Sequence, residues 1–316
     1  MEYETYTTND GCVLAYQTSL PRDGLSGPPR AVAASTCILL MHGFSGSSEY
    51  FTRNFDTLRA YGRWVVAPDM RGHGRSGRPR GGYHVARLAA DLRELIGHLR
   101  KQEPTLSNVI PVGCSIGAAV LWTYVELFGC TEFTGFVFVD QAPLQDRALA
   151  FDNWDSSKHH TGCYDEASML AAQDAWMNHP AETHKGLVHE CLGYRYEPLE
   201  SDAVSGEQAA KDQEFFTSIS AQCDGRWLAR LLADHTRYDH REAIEQINVP
   251  TLVMAGRRSG CFPLEGMMET VRRARKGERM EERVSVSEFE SGHWLFFEEP
   301  ERFNTEILGF VRKWTF

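Results

Sequence analysis

Gly113-Cys114-Ser115-Ile116-Gly117 has the form G-x-S-x-G. An apolar run, Val109 to Val112, precedes it, and a helical run begins at Ile116. This is the strand–turn–helix setting that holds a serine hydroxyl at a tight, exposed apex. The flanking positions must be small because the turn leaves no room. A helix N-terminus also favours the negative charge that develops when such a serine attacks a carbonyl. The plain alternative is a glycine-rich turn with a passive serine.

A serine nucleophile needs a base and an oxyanion hole. His293, in Ser291-Gly292-His293-Trp294, follows the last apolar strand and is placed to take the serine proton and hand it to a leaving group. His42-Gly43-Phe44 ends the third strand. The backbone N–H groups of Phe44 and Ile116 are the expected oxyanion donors. Gly43, Phe44 and Trp294 are expected to line the substrate pocket, since their positions lie beside the chemistry. Asp69 to Ser76, with its glycines, reads as a structural loop bracing the pocket floor.

Other chemistries find little support. The histidine pairs His159-His160 and His184/His189 do not form H-E-x-x-H. Gly72, Gly74 and Gly77 are not followed by the Lys-Ser/Thr of a P-loop, and no dinucleotide fingerprint sits on the first strand–helix turn. No metal and no cofactor are expected. Cys114 is expected to pack in the core.

The elements that position these residues alternate. Tyr3 to Thr8 and Val13 to Thr18 read as a hairpin around Asn9-Asp10-Gly11. Pro21 to Ser35, rich in Pro, Gly, Ala and Ser, reads as a surface loop. Continuous apolar strands are expected at Cys37 to Met41, Trp64 to Pro68, Val109 to Val112, Phe133 to Val139 and Thr251 to Ala255, followed by Val284 to Phe289. Between them fall helical runs at Ser48 to Tyr61, Leu88 to Arg100, Ile116 to Phe128, Leu264 to Arg275 and Glu301 to Trp314. The class is therefore α/β with a mostly parallel sheet. From Gln141 to Asn248 the alternation stops, and the segment reads as helical and polar.

The chain has 316 residues, 33 basic against 43 acidic, for a net charge of −10. That balance disfavours nucleic acid or an anionic membrane as partner. No apolar run approaches the roughly 20 residues of a spanning helix, and the N-terminus lacks the features of a secretory signal. The eight cysteines include no CxxC pair, which fits free thiols in a reducing cytoplasm. A small-molecule substrate is the expected partner, with a homo-oligomer left open.

Taken in order, His42-Gly43, Asp69 to Ser76, the Ser115 turn, Pro250 to Val253 with Gly256-Arg257-Arg258, Ser291-Gly292-His293 and Pro300 to Phe303 resemble the α/β-hydrolase superfamily. The resemblance implies an eight-stranded sheet, a Ser–acid–His triad and a helical cap after strand six. Residues 1–140 and 249–316 then form one core domain, and 141–248 the cap. The acid departs from the commonest family pattern, G-x-x-D-x-x-x-P after strand seven. Here Ser259 stands at that place, in Gly256 to Pro263. Asp140, at the end of strand six, is the preferred replacement, with Glu265 as the rival and no acid as the third option. Some lactonases and dehalogenases of the superfamily carry the acid there, and the Ser115–Asp140 separation resembles the zearalenone-type lactonases.

The function expected is a cofactor-free serine hydrolase acting on an ester or lactone of a small, hydrophobic substrate. The alternatives are a hydrolase-fold ligand receptor with slow turnover, a C–C bond hydrolase, and a cofactor-free oxygenase or lyase.

Overall fold

A computed structural model describes residues 2–20, 34–146, 163–277 and 279–315. The expected Pro21 to Ser35 loop falls mostly outside them, as do Arg147, Trp154, His159 and His160. The strands are β1 (Glu2–Thr7), β2 (Val13–Thr18), β3 (Thr36–Met41), β4 (Trp64–Pro68), β5 (Asn108–Cys114), β6 (Phe136–Val139), β7 (Thr251–Gly256) and β8 (Val284–Phe289). They form one sheet in the order β1-β2-β4-β3-β5-β6-β7-β8. β1 and β2 pair antiparallel, as do β2 and β4; the remaining pairs are parallel.

The central strands are apolar without interruption because both faces of the sheet are covered. Cys37, Leu39 and Met41 of β3 join one core layer, and Ile38 and Leu40 join the other. β6 divides the same way, with Phe136 and Phe138 on one face and Val137 and Val139 on the other. After α1 (Phe55–Ala60), helices α2 (Val85–Gln102) and α3 (Ile116–Phe128) pack on the first face.

Among the described residues, six helices lie between β6 and β7: α4 (Glu166–Asn178), α5 (Pro180–Cys191), α6 (Gly193–Tyr196), α7 (Gly206–Ser220), α8 (Gly225–Arg237) and α9 (Arg241–Glu245). α4 packs on α8, and α5 on α7, whereas α9 packs on the core helices α3 and α10 (Leu264–Ala274). The chain closes with α11 (Leu295–Glu298) and α12 (Pro300–Trp314). No described helix is long and apolar enough to cross a membrane.

Two elements differ from the pattern of the sequence. The helix expected over Ser48 to Tyr61 divides into a 3-10 turn, Ser48–Arg53, and α1. The cause is tertiary: the Asn54 carboxamide donates to the Phe296 carbonyl at 3.0 Å and to Asn304 Oδ1 at 3.1 Å. The strand expected from Phe133 begins only at Phe136, whose N–H opens the ladder to Pro250 O at 2.9 Å. Phe133 instead packs its ring against Tyr124 and Phe136, at 4.9 Å from each.

Candidate active site

β5 runs straight into α3 through Ser115, and the chain can turn there only with Ser115 at φ 54°, ψ −125°. A left-handed serine is strained by about 1–3 kcal/mol, and such strain gathers at functional sites. The two glycines are sterically required. A Cβ on Gly113 would stand 2.7 Å from the Ala118 nitrogen, and one on Gly117 would stand 2.8 Å from the Met41 carbonyl. Although Ser115 stands at the N-cap position, its hydroxyl makes no capping hydrogen bond. It therefore stays available to the cavity.

Gly43 follows β3 and lies against this serine: a Cβ there would be 3.2 Å from Ser115 Cβ. The loop is braced by His42. Its Nδ1–H donates to Gly43 O at 2.8 Å, and its Nε2 accepts the Met70 N–H at 3.0 Å. Burial lowers its pKa to about 4, so the ring is neutral at pH 7 and each nitrogen has one role. Among the described residues, the N–H groups of Phe44 and Ile116 donate to no protein acceptor.

Asp140 directly follows β6, at φ 47°. It is fully buried, while Ser115 and His293 are 9% and 6% exposed. Asp140 Oδ1 accepts the Gly256 N–H at 2.8 Å. Oδ2 accepts both the Ser259 hydroxyl at 2.7 Å and His293 Nδ1 at 2.6 Å. A carboxylate only accepts, so Nδ1 carries a proton, and in the neutral ring this tautomer leaves the lone pair on Nε2. Ser259, at the place where the usual pattern has an acid, is thus a donor to the acid from the neighbouring strand. Glu265 is exposed at the start of α10 and makes no hydrogen bond to His293 among the described residues.

The His293 loop is threaded through a slit lined by backbone. A Cβ on Gly256 would fall 2.2 Å from Gly292 O, and one on Gly292 would fall 2.4 Å from the Gly193 nitrogen. The Glu298 carboxylate clamps the slit by accepting the N–H groups of Gly292 at 2.8 Å and Gly193 at 3.1 Å. Burial raises the Glu298 pKa, and these backbone bonds oppose the rise.

Ser115, His293, Gly43, Phe44 and Trp294 all line one cavity of about 230 Å³. Trp294 also stacks on Phe216 of α7, ring centroids 3.7 Å apart. The opposite wall comes from the helices between β6 and β7, with Trp176, Leu187, Leu232, Glu190 and His235. His235 is 2% exposed, and neither ring nitrogen has a hydrogen-bond partner among the described residues. Sequence reasoning missed His235, Cys191 and Cys261 as cavity residues, because no local motif marks them and only the tertiary fold brings them there. Cys114 packs in the core layer on the face of Val112.

The profile of a family described as the alpha/beta hydrolase family matches residues 38–306. An AB hydrolase superfamily protein of Bacillus subtilis, YisY, is 23% identical over 286 residues, covering 86% of this chain and 90% of that protein. A bromoperoxidase structure from Bacillus anthracis superposes with a TM-score of 0.80 at 19% identity, over 98% of this chain and 100% of that one. An esterase from Exiguobacterium antarcticum gives 0.78 at 19% identity, over 98% of both chains. At such identities the two structures speak for the fold.

Proposed function

The chain belongs to the alpha/beta hydrolase family, and from that premise we propose that it is a serine hydrolase cleaving an ester or lactone of a small, largely apolar substrate. The reading rests on one observation above all: His293 is held by Asp140 at 2.6 Å and shares a cavity with a serine at a strained, uncapped apex.

In this reading Ser115 Oγ attacks the carbonyl carbon while His293 Nε2 takes the hydroxyl proton. The Phe44 and Ile116 N–H groups hold the oxyanion. Collapse of the tetrahedral intermediate expels the alkoxide, which receives the proton from His293. Water, deprotonated by the same nitrogen, then attacks the acyl-enzyme and releases the acid. Asp140 holds the imidazole in the tautomer that leaves Nε2 free, and Gly256 and Ser259 fix Asp140. The helices between β6 and β7 act as a cap, and the cavity's size favours a small molecule over a polymer. Aromatic and aliphatic walls favour an apolar body. His235, buried with both nitrogens unmatched, offers a hydrogen bond to one polar group of the substrate.

Turnover of p-nitrophenyl esters and a set of lactones by wild type and Ser115→Ala tests this. The variant is expected to lose at least about 10⁴-fold in kcat, with the acyl-enzyme burst abolished. Full activity in the variant would reject the mechanism.

A further inference from the structure

One group of side chains is not used by the hydrolytic reading, although it lies beside the same histidine. Cys191 ends α5, and Cys261 lies in the loop after β7. Their sulfurs are 3.6 Å apart. With one ring nitrogen of His293, they form a set of three atoms all within 4.8 Å of one another. The three segments are stitched together by backbone bonds: Gly260 N–H to Glu190 O at 3.0 Å, and Trp294 N–H to Cys191 O at 3.1 Å. The spacing therefore does not depend on long side chains folding inward.

Two thiolates and an imidazole are the ligands of a thiophilic divalent cation such as Zn²⁺ or Cd²⁺. Metal–sulfur bonds of about 2.3 Å at tetrahedral angles put the sulfurs about 3.8 Å apart. The observed 3.6 Å is already close to that. A disulfide needs about 2.05 Å and a much larger approach. Cys191 and Cys261 both line the substrate cavity, so a cation can enter and a water can fill a fourth position.

We propose that Cys191, Cys261 and His293 form an inhibitory site for a thiophilic divalent cation, which switches the hydrolase off by engaging its histidine. The two thiols each give up a proton, the cation takes their place, and two protons pass to solvent. On Nε2 the cation occupies the lone pair that would receive the Ser115 proton. On Nδ1 it displaces Asp140, and the Nδ1 proton passes through solvent to Nε2, which then has no lone pair to offer. Either way the base is lost, and the end of α5 becomes tied to the β7 loop. The binding claim stands on geometry alone; the inhibition rests on the hydrolase reading.

Titration with Cd²⁺ under a non-coordinating reductant separates the two. In Ser115→Ala, which keeps all three ligands, one equivalent of Cd²⁺ is expected to produce the near-ultraviolet sulfur-to-metal charge-transfer band, with two protons released. Cys191→Ser and Cys261→Ser should each lose that band while keeping the circular dichroism of the fold. In wild type, ester turnover should fall as the band grows and return with EDTA. Three results would overturn the proposal: no band in Ser115→Ala, a band that survives both cysteine substitutions, or a full band with turnover intact. If wild type turns over no ester at all, the hydrolase reading fails, and the spectrum still decides whether the site exists.

Discussion

Asp69 and Asp140 occupy equivalent positions in the fold. Each is the first residue after a parallel strand, β4 and β6, and each is buried, at 1% and 0% exposure. Their partners separate them. Asp69 Oδ1 accepts the Ser48 N–H at 2.7 Å, and Oδ2 accepts the Arg75 N–H at 2.8 Å. Its own loop wraps it so closely that a Cβ on Gly74 would lie 2.4 Å from the carboxylate. Asp140 gives one oxygen to backbone and shares the other between Ser259 and an imidazole. A buried carboxylate whose oxygens are both held by backbone braces a loop. One that reserves an oxygen for a histidine can set that histidine's tautomer.

Four measurements press on this contrast. Asp140→Asn should lower kcat by about 10⁴-fold, because the wrong tautomer is then favoured, and leave the melting temperature nearly unchanged. Unfolding of that variant would make the two aspartates alike. Acid should act next, through the loop side. His42 is neutral in the fold, with its pKa held near 4 by burial, and ordinary once unfolded. Between about pH 6.5 and 4 the unfolded chain binds a proton that the native one does not. The His42 contribution to stability is therefore complete above pH 6.5, declines as the pH falls towards 4, and is then flat, for a loss of up to about 3 kcal/mol. Urea midpoints across that range should fall in wild type, and less steeply in His42→Gln; parallel slopes would remove His42 from the account.

Asp69→Asn should cost about 2 kcal/mol and lower the melting temperature by roughly 3 °C, with kcat within about tenfold of wild type. A stable but inactive Asp69→Asn protein would break the contrast from the other side. The smallest change belongs to Ser259→Ala, which removes one of three donors to Asp140. A kcat loss of about three- to tenfold is expected, matching a hydrogen bond of about 1 kcal/mol. A loss as large as that of Asp140→Asn would assign Ser259 more than positioning.

Much of the fold was legible because its signals are local. The parallel strands are unbroken apolar runs, and the Ser115 turn needs small residues at fixed spacing. The Asp140–His293 pairing could be anticipated because parallel strands deliver their ends to one edge. The rest depended on contacts between distant segments. Asn54 breaks a helix by reaching Phe296 and Asn304. Ser259 looked like a lost acid, and only the neighbouring strand reveals it as a donor to one. Cys191 and Cys261 are unremarkable singly, and neither carries a motif that would link it to His293. α9 reads with the polar segment before it, yet it packs on core helices.

The slit of Gly193, Gly256 and Gly292 has a consequence in time. Its walls come from three separate stretches of the chain, and Gly292 meets both Gly193 and Gly256 through bare backbone, so it cannot be seated without them. Contacts of such long sequence separation form late and slowly. A chain emerging from the ribosome up to Gly256 already contains its serine and its aspartate, but no histidine to connect them. The proposed triad is therefore complete only once the segment that carries His293 has docked beside β7.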